Sequence, residues 1–257
     1  MDNRPIGIFD SGIGGLSVLK QIIQVLPNEK YIYYADVDHV PYGIKTNKEI
    51  KKYVKEAVDF LISKNVKLIV IACNTATSIA IEYLRKKYNI PIIGIEPAAK
   101  PAIEKRHNKK VLLMATPVTV REEKLKKLLK RVDLDNSVDL LAMPGLVKFA
   151  EKEEFYSNAV KSYIEEQLKD YNLKEYSELV LGCTHFPFFK EILSEIFPKD
   201  TQIIDGSYGV ANRVVSVLNE KNQLANTQRD IEYYYSGRRV EDKETLEKFI
   251  RLLNQIK

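Results

Sequence analysis

An internal repeat limits the folds that are open to this chain of 257 residues. Predicted strands end at intervals of 25 and 38 residues in the first half of the chain, and of 26 and 41 residues in the second half. In order, these strand ends are Asp10, Ala35, Cys73, Thr116, Ala142 and Cys183. The local sequences also agree, with LIVIACNT at 68–75 and ELVLGCTH at 178–185. One strand–helix unit that is used twice predicts two similar lobes.

Short apolar runs alternate with amphipathic stretches along the chain, which is typical of parallel sheets wound with helices. The predicted strands occupy residues 6–9, 31–35, 68–72, 92–95, 111–115, 139–142, 178–181, 202–204 and 231–235. Apolar residues recur at helical spacing within 50–61 and 246–253, and a further helix is predicted over 209–218. We therefore expect an α/β protein of two pseudosymmetric, doubly wound lobes with mostly parallel sheets and the active site in the cleft between them. The first lobe would comprise residues 1–97 and 208–257, and the second residues 98–207.

The two cysteines exclude several classes of protein. Two thiols in 257 residues cannot form a disulfide framework or a four-cysteine zinc site. The net charge of +5 does not come from a block of basic residues, so it does not indicate nucleic-acid binding. The apolar runs are too short to span a membrane, and the N-terminal residues do not resemble a signal peptide. We expect a cytoplasmic protein whose thiols are reduced.

The two cysteines occupy equivalent places in the two repeats. Cys73 and Cys183 each follow a predicted strand and precede a predicted helix, where ligands of open α/β sheets bind. A helix N-terminus lowers a thiol pKa, so we expect both pKa values to be lowered. Two thiols that face one cleft from opposite lobes suit a nearly symmetric reaction such as racemisation, in which one group removes a proton and the other delivers one. A thiol redox pair is the alternative.

Two further loops carry candidate binding residues. FDSGIGGL at 9–16 predicts a tight turn with exposed backbone N–H groups, but the dinucleotide spacing GxGxxG is absent and Asp10 at its mouth disfavours phosphate. The turn at Pro41, Tyr42 and Gly43 could line a cleft or could be an ordinary loop.

The three histidines give no metal-ligand spacing. His185 lies in a site-like context, whereas His39 and His107 are expected at the surface. No lysine stands out as a Schiff-base former, so we expect no metal and no cofactor.

Five motifs in order resemble those of the glutamate racemases, which belong to the cofactor-independent aspartate/glutamate racemase superfamily. They are FDSGIGGL at 9–16, YAD at 34–36, PYG at 41–43, ACNTA at 72–76 and LGCTHFP at 181–187. The resemblance covers essentially the whole chain. It implies a two-lobed enzyme, usually a homodimer, that interconverts L- and D-glutamate without a cofactor and supplies D-glutamate for peptidoglycan synthesis.

The resemblance also implies roles for individual residues. Cys73 would handle the α-proton of D-glutamate with the help of Asp10, and Cys183 that of L-glutamate with the help of His185. Asp36 and Glu151 match supporting acidic positions. The residues implied to bind substrate are Asp10, Ser11, Pro41, Tyr42, Gly43, Asn74, Thr75, Thr116, Thr119, Thr184 and His185.

The chain departs from the glutamate racemase motifs at two places, and two alternative functions stay open. Met143-Pro144 stands where many members have Cys-Pro, and DGS at 205–207 stands where many have DSG. Some members carry a longer segment before the first motif, linked to activation by a peptidoglycan precursor; with nine residues before Asp10, we do not expect that activation here. The alternatives are racemisation of aspartate or another amino acid, and a non-catalytic anion-binding or thiol redox protein.

Overall fold

The computed structural model describes residues 1–256, which form two separate β-sheets joined and covered by helices. Within these residues there are ten strands: β1 (Ile6–Asp10), β2 (Lys30–Ala35), β3 (Leu68–Ile71), β4 (Ile92–Gly94), β5 (Lys110–Ala115), β6 (Val138–Ala142), β7 (Tyr176–Gly182), β8 (Gln202–Asp205), β9 (Asp230–Tyr235) and β10 (Arg238–Arg239).

The same 256 residues form eleven α-helices: α1 (Leu16–Val25), α2 (Asn47–Ser63), α3 (Asn74–Lys87), α4 (Ala99–Lys105), α5 (Pro117–Arg121), α6 (Glu123–Val132), α7 (Pro144–Glu151), α8 (Asn158–Leu168), α9 (Lys190–Ile196), α10 (Ser207–Glu220) and α11 (Lys243–Gln255). Short 3₁₀ turns occur at Tyr42–Ile44, Leu173–Glu175 and Phe186–Phe189.

The strand order of the two sheets confirms the repeat. The first sheet runs β10-β9-β2-β1-β3-β4, and the second runs β6-β5-β7-β8. The four-strand order β2-β1-β3-β4 therefore has the same winding as β6-β5-β7-β8. Among the strand pairs of residues 1–256, only β9 and β10 are antiparallel. The predicted α/β class with mostly parallel sheets is confirmed.

The nine predicted strands lie within a residue or two of β1–β9, and the predicted helix at 209–218 lies inside α10. β10 was not predicted, because two arginines give no apolar run. The strands of the first sheet lie within 6–94 and 230–239, and those of the second within 110–205. The lobe boundaries at 97/98 and 207/208 stay a prediction.

None of the helices in residues 1–256 is long and apolar enough to cross a membrane.

The parallel central strands place their C-terminal loops at one edge of each sheet. Every residue of β1 and of β7 is buried, because each strand has neighbours on both sides and helices on both faces. α10 follows the last strand of the second sheet and packs against α1 of the first lobe. The carboxyl ends of β1, β3, β5 and β7 consequently carry loops that can meet between the two lobes.

Candidate active site

Cys73 lies directly after β3 and forms the N-cap of α3. Its Sγ accepts a hydrogen bond from the Ala76 N–H at 3.5 Å and lies 3.6 Å from Ser11 Oγ. Burial raises the pKa of the Cys73 thiol far above its ordinary value, and the charges of Asp10 and Cys183 raise it further. The expectation of a lowered pKa is therefore wrong for Cys73, since desolvation of the thiolate outweighs the helix N-terminus and the two hydrogen bonds.

Cys183 follows β7 and is 6% exposed, like Cys73. Cys183 was expected directly before a helix, and this expectation is wrong. A 3₁₀ turn at Phe186–Phe189 comes first, and α9 begins only at Lys190. Pro187 lies in the first turn of this 3₁₀ segment, where a proline is tolerated because its missing N–H has no intrahelical partner. Cys183 therefore lies on a short loop after its strand.

A carboxylate–imidazole pair lies beside Cys183. Cys183 Sγ is 3.8 Å from His185 Nδ1, and His185 Nε2 is 2.6 Å from Glu151 Oε1. Burial acts to lower the pKa of His185, but Cys183 and Glu151 raise it well above its ordinary value overall. Both contacts favour the protonated imidazole, in which one N–H is directed at the thiol and the other at the carboxylate.

Asp10 ends β1 and is fully buried. Its carboxylate accepts hydrogen bonds from the Gly12 N–H and from Thr184 Oγ1, both at 3.0 Å, so it joins the two lobes. Burial raises the pKa of Asp10 to about 6, although the charge of His185 and both hydrogen bonds act to lower it. The influence of Asp10 on Cys73 is electrostatic, and its assistance to that thiol stays a prediction.

The first loop forms the predicted tight turn, in which the Leu16 N–H donates to the Ile13 carbonyl. The backbone φ of Gly12, Gly14 and Gly15 is not in the left-handed region. Instead, a Cβ on Gly12 would lie 1.8 Å from Glu151 Oε1, and a Cβ on Gly14 would lie 2.5 Å from His185 Nδ1. Gly12 and Gly14 leave room for side chains of the opposite lobe, whereas a Cβ on Gly15 would lie 2.5 Å from Cβ of Asp10.

Three threonines form a second contact between the lobes. Thr75 Oγ1 lies 2.9 Å from Thr116 Oγ1 and 3.3 Å from Thr119 Oγ1, and all three side chains are buried. Gly43 packs against this cluster, where a Cβ would lie 2.7 Å from Thr116 Cβ. The neighbouring Asn74 is buried, and its Oδ1 has no hydrogen-bond partner among residues 1–256.

The loop after β2 is organised around Asp36. This buried carboxylate accepts hydrogen bonds from Tyr42 Oη at 2.5 Å, from His39 Nδ1 at 2.9 Å and from Ser236 Oγ at 2.9 Å. Burial, together with Asp36, raises the pKa of Tyr42 far above its ordinary value, so the phenol keeps its proton. Pro41, which follows a cis peptide bond, leads directly into Tyr42.

Two residues near Asp36 were misjudged or missed from the sequence. His39 was expected at the surface, but it is half-buried because its ring stacks on Tyr53 at 3.7 Å between centroids. Ser236 was not among the candidate residues, since it lies 200 positions from Asp36 in the sequence. His107 is exposed, as expected. Among residues 1–256, no three His, Cys, Asp or Glu side chains are grouped as a metal site would require.

The sequence profile of the Asp/Glu/Hydantoin racemase family matches residues 6–211 of the chain. The match covers strands β1–β8 and the loops that carry Asp10, Cys73 and Cys183. The chain belongs to this family of racemases.

Individual relatives show which members of the family this chain is similar to in sequence and structure. A glutamate racemase of Lachnospira eligens is 48% identical over 97% of this chain and 96% of its own length, and glutamate racemase 2 of Bacillus subtilis is 49% identical over 96% and 94%. Among solved structures, a glutamate racemase isoform of Bacillus anthracis matches with a TM-score of 0.85, 28% identity and coverage of 98% of this chain and 95% of its own. The glutamate racemase of Francisella tularensis in complex with D-glutamate matches with a TM-score of 0.84, 30% identity and coverage of 99% and 95%. Within the family, the chain groups with the glutamate racemases.

Proposed function

We propose that this chain interconverts L-glutamate and D-glutamate by passing protons between the α-carbon and two thiols, Cys73 and Cys183. The observation that carries the proposal is the pair of thiols on equivalent loops of opposite lobes, each with its own polar partners. Cys73 contacts Ser11, and Cys183 contacts the His185 imidazole. The charge of Cys183 also raises the pKa of Cys73, which supports a single site that contains both sulfurs.

Each turnover removes one proton and returns one on the opposite face of the α-carbon. With D-glutamate, the Cys73 thiolate takes the α-proton and the Cys183 thiol delivers its own, which leaves a Cys73 thiol and a Cys183 thiolate. L-Glutamate reverses every step. The raised pKa of Cys73 makes its thiolate rare but strongly basic, as the weakly acidic α-proton requires. The His185 imidazolium stabilises the thiolate that forms on Cys183.

The polar groups around the thiols can hold both ends of glutamate. Hydroxyls and backbone N–H groups of Ser11, Thr75 and Thr184 would bind the carboxylates and the charge that develops at the α-carbon. The unpartnered Oδ1 of Asn74 suits the substrate ammonium, which is a donor without acceptor capacity. Tyr42 and Gly43 would close the cleft on the side of Cys73, with Thr116 and Thr119 behind them.

Access to the site requires the lobes to move apart. Both thiols are 6% exposed, and the bonds from Thr184 to Asp10 and from the Ile13 N–H to Glu151 close the cleft. Opening breaks these contacts, and closure over substrate excludes water from the developing carbanion.

Circular dichroism of purified protein with L-glutamate, without added cofactor, tests the proposal. We expect the signal to decay to that of the racemate, and Cys73→Ala and Cys183→Ala each to abolish the decay. L-Aspartate under the same conditions addresses the alternative within the family, and we expect much slower turnover. An unchanged L-glutamate signal at high protein concentration would refute the proposal.

The proposal also covers the pathway, the cell compartment and the oligomeric state of the enzyme. D-Glutamate formed by the chain would enter peptidoglycan synthesis, as is known for the family. A reaction that needs two free thiols suits the reducing cytoplasm. We also infer a homodimer, from the resemblance alone. Light scattering during gel filtration tests the homodimer, with twice the mass of 29.6 kDa as the expected value.

A further inference from the structure

The turn between β9 and β10 has an unusual residue at its first position. Ser236 and Gly237 form a two-residue hairpin turn with φ values of +44° and +85°. Positive φ at both positions defines a type I′ turn, for which Asn-Gly and Asp-Gly are strongly preferred. Serine is a poor choice for left-handed backbone, and strain of this kind is retained where the side chain has a task.

The Ser236 hydroxyl makes two specific contacts with the loop after β2. Its Oγ donates to Asp36 Oδ1 at 2.9 Å and accepts from the Asp38 N–H at 3.1 Å. The Ser236 N–H donates to the Ala35 carbonyl at 2.8 Å, so both backbone and side chain tie the hairpin turn to this loop. Arg238 adds two bonds of 2.7 Å to Asp38 at the exposed edge.

Asp36 passes this restraint to the Pro41-Tyr42-Gly43 turn. The Asp36 oxygens are shared by Ser236, His39 and Tyr42, and the Tyr42 side chain is 1% exposed. Tyr42 packs in the same apolar cluster as Cys73, and the two interact electrostatically. The Ser236 hydroxyl is thus two hydrogen bonds away from a side chain that borders the thiol.

We propose that Ser236 is a positioning residue, which acts through Asp36 to hold Tyr42 and Gly43 where they close the substrate cleft. The proposal rests on the proposed racemase function. Loosening this turn weakens substrate binding in the ground state and the transition state alike, so KM rises while kcat changes little. Loss of one hydrogen bond to a charged group corresponds to about a tenfold increase in KM.

Ser236→Gly is the sharpest variant, because glycine favours the type I′ turn and removes only the hydroxyl. We expect KM for glutamate to rise about tenfold with kcat within about twofold. Ser236→Asn tolerates the same backbone and can donate through Nδ2 to Asp36, so it should restore KM to near the wild-type value. Asn65→Gly is the matched control, since Asn65 has a φ of +55° at an exposed turn after α2 and should leave both constants unchanged.

Hydrogen exchange by mass spectrometry gives a readout that needs no racemisation. Peptides covering residues 36–45 should exchange faster in Ser236→Gly than in the wild type, and at the wild-type rate in Asn65→Gly. Wild-type KM and wild-type exchange in Ser236→Gly would overturn the proposal, as would a Ser236→Asn variant as impaired as Ser236→Gly. If the wild-type protein racemises nothing, the proposed function fails, whereas the exchange result still decides whether Ser236 holds the loop.

Discussion

The His185 imidazole is bonded to the Glu151 carboxylate, with Nε2 and Oε1 2.6 Å apart. The same Glu151 oxygen accepts the Ile13 N–H of the first lobe at 3.0 Å. One carboxylate at the end of α7 therefore acts with Cys183 to raise the pKa of the His185 imidazole and also joins the two lobes. Its removal should affect the chemistry more than the fold.

Glu151→Gln should lower kcat/KM about 10- to 100-fold, because a hydrogen bond to a charged group is lost at the acid–base site. The fall must be equal for L- and D-glutamate, since their equilibrium constant is one. Without the carboxylate the pKa of His185 falls, so the alkaline decline in kcat/KM should move to lower pH. Glu153→Gln, whose carboxylate pairs with Lys248 and Arg251 at the surface, is the control. Full activity in Glu151→Gln would contradict the role.

Gly14→Ala should reduce activity severely, because its Cβ would lie 2.5 Å from His185 Nδ1 and 2.6 Å from Thr184 Oγ1. We expect kcat/KM to fall more than about 100-fold, since displacement of a catalytic group by about 1 Å has an effect of this size. Gly209→Ala is the control, because the added Cβ meets nothing within 4 Å apart from its chain neighbours and the backbone of its own helix. It lies inside α10 and should stabilise the protein by about 0.5–1 kcal/mol. Activity assays of both variants measure kcat/KM, and urea unfolding measures their free energies of unfolding. Wild-type kcat/KM in Gly14→Ala would contradict the prediction.

Asp10→Asn should change how stability depends on pH. The pKa of Asp10 is raised from 3.8 to about 6 in the folded protein. The wild-type carboxyl therefore contributes its full stability below about pH 4, and this contribution is lost as the pH rises through 6. Relative to wild type, Asp10→Asn should gain about 3 kcal/mol between pH 4 and pH 8. Urea unfolding across this range measures the gain, and a difference that does not vary with pH would contradict it.

The sheets could be predicted from the sequence because their strands are short apolar runs at repeated intervals. Similar spacing in the two halves predicted two similar lobes, and β1–β4 and β5–β8 have the same winding. The sequence carries only a weak signal for the strand β10. Its two residues, Arg238 and Arg239, form a strand because they pair with β9 and not because they are buried.

The candidate site was only partly predictable. The strand-end positions of Cys73 and Cys183 follow from the repeat, but the burial that raises the pKa of Cys73 depends on packing with residues distant in the sequence, such as Ser11. For the same reason Gly12 looked like a turn residue, although it is small because Glu151 approaches it. Ser236 left no local signal, since its partner Asp36 is 200 positions away.

Racemisation of L-glutamate in D₂O tests the central claim, that separate thiols serve the two faces of the α-carbon. Circular dichroism would follow the enantiomers, and mass spectrometry of the separated enantiomers would follow deuterium at the α-carbon. At early conversion we predict that the D-glutamate formed carries one deuterium, delivered by the second thiol, while the remaining L-glutamate carries none. Deuterium that enters the unreacted L-glutamate as fast as the product would mean a single base on one face, and would contradict the account.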